Sequence, residues 1–324
     1  MNFQAYKDLA RGILASSRGP QLVRLDCMNP AKALAAMRPV LPPRLRRTST
    51  RDLETSWRLR WGLTAAGGRV ALSSGVRPLL ARLFSRFAQE GRWLHAPEDV
   101  YPVYLDLAAK AGVRLCTFPT VPSPVLPALG LERGSQALLV PEPLVPLGRN
   151  LSDAEANHIR SWLDEDARRL VVLDCVYTFG GRFSRTTEEL LAGGQTVLLH
   201  SLAKGFLFPD TAGFAIGPDL VLGMLEHEIS DDARDTAVHL LEETPDLPEQ
   251  LAREFARRWT RLTQATGIPT PATGYFSVLP VPFDDLLARG QLAVPGTVFG
   301  ARRGDWSAVT CLLAADVVPT PAPP

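Results

Sequence analysis

The chain has 324 residues, 46% of them apolar and 21% charged, with a formal net charge of +1. That length can bury a full core and form one large domain plus a smaller one. The near-neutral charge argues against a nucleic-acid binder, which carries a basic excess or stripe, and no apolar run reaches the roughly 18 residues of a transmembrane helix.

In chain order, the first stretch, MNFQAYKDLARGILASSRG, has scattered charges and lacks the apolar centre of a signal peptide. Residues 1–50 read as an arm that begins the smaller domain, with Asn29-Pro30 opening a short helical pattern and Pro42-Pro43 ending it. Residues 54–63, with Trp57 and Trp61 one turn apart, predict an amphipathic helix whose tryptophans pack in the core. Residues 69–72 predict a strand running into Ser73-Ser74-Gly75, with a helix starting at Val76. Ser and Gly ahead of a helix form an N-cap, and the exposed amides there make a phosphate cradle. PEDVYPVYLDLAAKAG predicts a loop and a helix, with Tyr101 where one becomes the other, and VRLCTFP predicts a strand.

Residues 119–135 are proline-rich and predict a loop; QALLVPEP predicts a strand, then a turn, then a helix capped by Ser152 with Glu155 at the capping-box position. Two short apolar runs follow. Residues 170–173 stop at Asp174 and reach Tyr177; residues 196–199 stop at His200-Ser201 and reach Lys204. Such runs predict buried parallel strands, whose carboxyl ends open onto a ligand crevice. Beyond Pro218, residues 220–266 predict helix, with EHEISDDARD as a solvated face. GYFSVLPVPFDDLLARGQLAVPGTVFG predicts a strand, a helix and a strand, and SAVTCLLA a last strand. The expected fold is α/β: a mostly parallel sheet with helices on both faces, plus a smaller α+β domain built from both chain ends. The expected divisions are 1–50, 51–220 and 221–324. Cys27, Cys116, Cys175 and Cys311 stand far apart with no CxxC pair, which is neither a zinc pattern nor a disulfide framework. The cytoplasm is the expected compartment.

Asp174, Tyr177, Lys204 and the Ser74-Gly75 turn together offer a carboxylate, a phenol, an amine and an anion cradle. A lysine at the mouth of a buried strand forms a Schiff base readily when its amine is partly desolvated, and a pyridine cofactor needs a carboxylate at its ring nitrogen. With these residues placed, the chain resembles the pyridoxal-phosphate-dependent aminotransferases of fold type I, class I/II, including the histidinol-phosphate aminotransferase branch. LDCVY is similar to the family's D-x-x-Y strand end, HSLAKGF to its S-x-x-K lysine motif, PEDVYPVYLDLAAKAG to its P-x-Y-x-x-Y segment, and VPGTVFG to its P-G-x-x-F-G signature.

The resemblance implies pyridoxal 5'-phosphate as cofactor, a small-molecule amino substrate and a homodimer. It implies Lys204 as Schiff-base lysine and proton shuttle, Asp174 at the pyridine nitrogen, Tyr177 at the ring oxygen and Tyr101 stacked on the ring. Ser74, Gly75, Val76 and Ser201 would meet the phosphate. Three family positions are filled differently: a phosphate-binding arginine falls at Ala212, an asparagine of the N-P-x-G turn at or near Val145, and GDWSAVTCLL lacks the arginine that clamps the substrate carboxylate. Arg77 could replace the phosphate ligand, and Arg302 or Arg303 could reach the carboxylate, with Asn29 near the substrate. The expected activity is transamination. A decarboxylase, a carbon–sulfur or other β/γ lyase, or a non-catalytic subunit of this fold stay open beside it.

Overall fold

A computed structural model describes residues 1–17, 19–64, 67–100, 102–126, 135–209, 211–223, 225 and 229–313. The strands in chain order are β1 (Val23–Arg24), β2 (Arg69–Ser73), β3 (Trp93–Pro97), β4 (Arg114–Phe118), β5 (Gln136–Pro141) and β6 (Leu170–Asp174). They continue as β7 (Thr196–Ser201), β8 (Gly213–Gly217), β9 (Phe276–Leu279), β10 (Gln291–Leu292), β11 (Val294–Pro295) and β12 (Ser307–Thr310).

The main sheet has seven strands in the order β2-β8-β7-β6-β5-β3-β4. The pairs from β7 through β6, β5 and β3 to β4 are all parallel. β8 runs antiparallel to both neighbours, so β2 points the same way as β7. Successive side chains of a strand point to opposite faces, and here both faces are buried. Leu138, Val171, Leu173, Leu198 and Phe214 face one core. Leu139, Val172, Val197, Leu199 and Ala215 face the other, beneath the helices Val76–Gln89 and Val103–Ala111. This double burial is why the strands read as continuous apolar runs rather than as alternation.

A smaller layer is made from both chain ends. β1 pairs in parallel with β10, and β11-β12-β9 form an antiparallel sheet. The Thr310 N–H donates to the Leu25 carbonyl at 2.9 Å, which knits the two ends together. The arm contains a helix that the sequence reading did not anticipate, Phe3–Ala15; Tyr6 is buried and its hydroxyl donates to the Ala293 carbonyl at 2.8 Å. The tryptophan helix spans Thr50–Arg60 rather than 54–63, because Ser49 and Asp52 form a capping box a turn earlier. Trp57 and Trp61 are buried as expected, Trp57 stacked on Phe214 at 4.6 Å. The acidic stretch is not uniformly solvated: Asp235 is buried and accepts from the Thr48 N–H at 2.9 Å and its hydroxyl at 2.7 Å.

Candidate active site

One edge of the main sheet gathers the chemistry. β2, β5, β6 and β7 all end there, and the reversed strand β8 begins there. The register sets Ser73 opposite Gly213, Gly213 opposite Ser201, and Pro141 opposite Asp174. Lys204 follows three residues after Ser201, on a short helix, and Tyr177 three residues after Asp174.

The turn after β2 has the backbone features of an anion cradle. Gly75 adopts φ 157° and ψ 177°, a backbone region essentially restricted to glycine. Among the described residues no side-chain cap closes the helix Val76–Gln89, whose N-cap is Gly75. A Cβ at Gly75 would meet nothing within 4 Å, while one at Gly213 would strike the Gly75 carbonyl carbon at 2.3 Å. Beneath the turn the Ser73 hydroxyl is fully buried with no hydrogen-bond partner among the described residues. A buried hydroxyl without a partner is costly, and an anion at the adjoining turn is one candidate partner for it. Ser74 is exposed, Val76 and Ser201 are buried, and the Ser201 side chain makes no capping bond.

Asp174 is buried and lies within a hydrogen bond of two donors. The Tyr104 hydroxyl donates to Oδ2 at 2.6 Å, and the Val176 N–H donates to Oδ1 at 3.2 Å. Burial pushes this carboxyl up to about 6, against the pull of Tyr104 and Val176. Lys204 is shifted the other way: burial, and then the positive charge of Arg77, bring its amine down to about 8. Its Nζ lies 5.5 Å from the Tyr177 ring centroid. An amine in that range is partly neutral near physiological pH and can act as nucleophile or base.

Arg77 is exposed in the first turn of the helix at the cradle, near enough to Lys204 to weigh on its charge. Ala212 is buried, and its carbonyl accepts from the Leu202 N–H at 3.1 Å. Val145 is buried in the turn after β5 and lines, with Pro143, Tyr177, Tyr275 and Phe276, a small apolar recess. Asn29 caps a short helix through the Ala31 N–H at 3.1 Å. Arg302 pairs with Glu98 at 2.8 Å, and Arg303 is exposed. Tyr101 lies outside the described residues.

Tyr104 is the site residue that sequence reading missed. It sits three positions beyond Tyr101 in the same segment, a spacing that puts two helical residues on one face. The spacing alone does not say that this face covers the end of β6. The four cysteines are free thiols. Among the described residues no helix is long and apolar enough to cross a membrane.

Comparison with solved structures places this fold among aminotransferases. The Escherichia coli protein YbdL, described with a methionine aminotransferase function, superposes with a TM-score of 0.74 at 14% identity, over 97% of this chain and 96% of that one. Substrate-bound BacF from Bacillus subtilis gives 0.70 at 17%, over 96% and 91%. A double mutant of Thermus thermophilus aspartate aminotransferase gives 0.69 at 19%, over 95% and 91%. No family model matches the sequence, and no curated protein is detectably similar to it.

Proposed function

We propose that this chain is a pyridoxal-phosphate-dependent aminotransferase acting on an amino acid or a related amine. The observation that carries the reading is the convergence on one sheet edge of a desolvated lysine, a buried carboxyl held by a phenol, and an uncapped helix start. The fold shared with the aminotransferases above supports it. The residues fit the cofactor: the backbone at Ser74, Gly75 and Val76, the Ser201 hydroxyl and Arg77 would hold its phosphate, and the orphaned Ser73 hydroxyl lies beneath. Lys204 would hold it covalently, Tyr177 would face its ring oxygen and Asp174 its ring nitrogen.

When bound, the cofactor supplies an electron-withdrawing ring that stabilises negative charge at a substrate carbon. Asp174 would keep the ring nitrogen protonated, and Tyr104 fixes which way that carboxyl points. Lys204 would take and return the proton at the substrate carbon, a role suited to an amine near 8. The Tyr177 ring, 5.5 Å from that amine, would form one wall of the space in which it acts. Arg302 would have to leave Glu98 to meet a substrate carboxylate. A homodimer belongs to the same proposal.

The absorbance spectrum after addition of pyridoxal phosphate tests it. A band near the visible edge that is absent from Lys204→Ala is expected; a colourless wild-type protein would sink the reading. A panel of amino donors should then convert that band without net ammonia release. A second reading, a decarboxylase or lyase on the same scaffold, is favoured by one observation: Val145 and the arginine-free strand β12 offer no guanidinium for a carboxylate. Ammonia or sulfide release with the original band regenerated would select it.

A further inference from the structure

Beside the Lys204 crevice lies a cavity of about 200 Å³ that the proposed chemistry does not use. It shares Pro143, Phe179 and Thr273 with the apolar recess at Tyr177, but its character is different. Glu142 lines it, 2% exposed, one residue beyond the end of β5. Its backbone N–H donates to the Asp174 carbonyl at 2.9 Å, which fixes the residue rigidly to the sheet edge.

The Glu142 carboxyl accepts from the Leu151 N–H and the Ser184 hydroxyl, both at 2.9 Å. A carboxylate has roughly four lone-pair positions, so among the described residues half of its accepting capacity is unused. Among the described residues no ion pair involves it; the nearby Arg149 is paired with Glu155 at 2.8 Å. A buried carboxylate without a cation is unstable as an anion. Accordingly burial pushes Glu142 up to about 7, against Leu151, Ser184 and Arg149 and with the help of Glu155. Arg182 lines the same cavity from an exposed position. The space is worth roughly seven waters, the size of a small zwitterion.

We propose that this cavity is a second binding site, for a small molecule carrying an ammonium group beside a carboxylate, with the ammonium on Glu142 and the carboxylate on Arg182. The site stands on Glu142 and Arg182 and does not depend on the reading of Lys204. Glycine or alanine meets the description; methylamine and acetate each carry half of it.

Calorimetric titration of the full chain with these four probes tests the inference, in the wild type and in Lys204→Met. Saturable glycine or alanine binding is expected in both, tighter than methylamine or acetate. Glu142→Gln should weaken it by about tenfold or more, and Arg182→Ala should reduce glycine to the level of methylamine. Because Glu142 also holds Leu151, Thr273→Phe serves as a second variant that fills the space without touching the carboxyl. Absence of saturable binding in Lys204→Met, or binding unchanged in either Glu142→Gln or Thr273→Phe, overturns the proposal. Binding seen only when Lys204 is present assigns the probe to the catalytic crevice, which overturns this site and leaves the aminotransferase reading standing.

Discussion

At Asp174 the decisive contact is a single hydroxyl. Tyr104→Phe removes the 2.6 Å bond to Oδ2 while keeping the ring in the core. Since that bond holds the carboxyl down, its pKa should climb above about 6, which carboxyl-carbon NMR would follow through a pH titration. At pH 8, where the carboxylate is charged, the variant should lose about 1.5–3 kcal/mol in urea unfolding; unchanged titration would mean that Tyr104 only packs. Lys204 makes a pH prediction of opposite sense. Its amine falls from 10.5 to about 8 on folding, so the folded state disfavours the proton. This penalty is present below pH 8 and is relieved as pH rises to 10.5. The stability of the wild type minus that of Lys204→Met should therefore climb across that window, and a flat difference would contradict a desolvated amine. That Asp174, Tyr177 and Lys204 stand at strand ends on one side of the sheet was legible in the sequence, because each follows a bounded apolar run of strand length. Tyr104 and Glu142 were not. The helix carrying Tyr104 could have covered any strand, and the Glu142 carboxyl is held by Leu151 and Ser184, 9 and 42 positions away.

Among the elements, strand and helix starts were readable where local chemistry sets them. Gly75 before Val76, and Ser152 with Glu155, mark helix starts at the residues expected. Contacts across long separations were not. Asp235 looked like a solvated acid because nothing in its neighbourhood announces Thr48, 187 positions away. β8 also escaped notice, since its short run between two glycines, GFAIG, announces neither a strand nor its direction. Yet β8 sets the cradle, because its first residue lies against the turn after β2. Gly213→Ala would put a Cβ 2.3 Å from the Gly75 carbonyl carbon, with backbone rather than a flexible side chain in the way. A loss of about 1–3 kcal/mol is expected, together with weaker binding of pyridoxal phosphate by fluorescence titration. Unaltered affinity would show that the turn is not where the phosphate sits.

Across the whole molecule, distant segments are tied by buried charge as well as by apolar packing. Arg60 donates to the Pro245 carbonyl at 2.6 Å, the Gly181 carbonyl at 3.0 Å and the Glu249 carboxylate at 2.5 Å. It thereby joins the tryptophan helix, the loop beyond Tyr177 and the long helix Leu247–Thr266. Arg60→Met leaves two carbonyls and a half-buried carboxylate without their donor. A loss of about 2–4 kcal/mol is expected by urea unfolding, and a loss below about 1 kcal/mol would show that packing alone holds the three segments.

The alignment of Ser73, Gly213 and Ser201 across three adjacent strands has one more consequence. Neighbouring strands stand about 4.8 Å apart, so the turn after β2 and the end of β7, from which the short helix bearing Lys204 starts, are separated by about two such steps, and Asp174 lies one strand farther. The sheet acts as a ruler with fixed graduations. Under the proposed function, a molecule anchored by its anion at the turn would reach the lysine and the carboxyl only if its own length matched those marks. On the proposed function, selection by length would precede any reaction, and it would be set by the hydrogen-bonded backbone of the sheet.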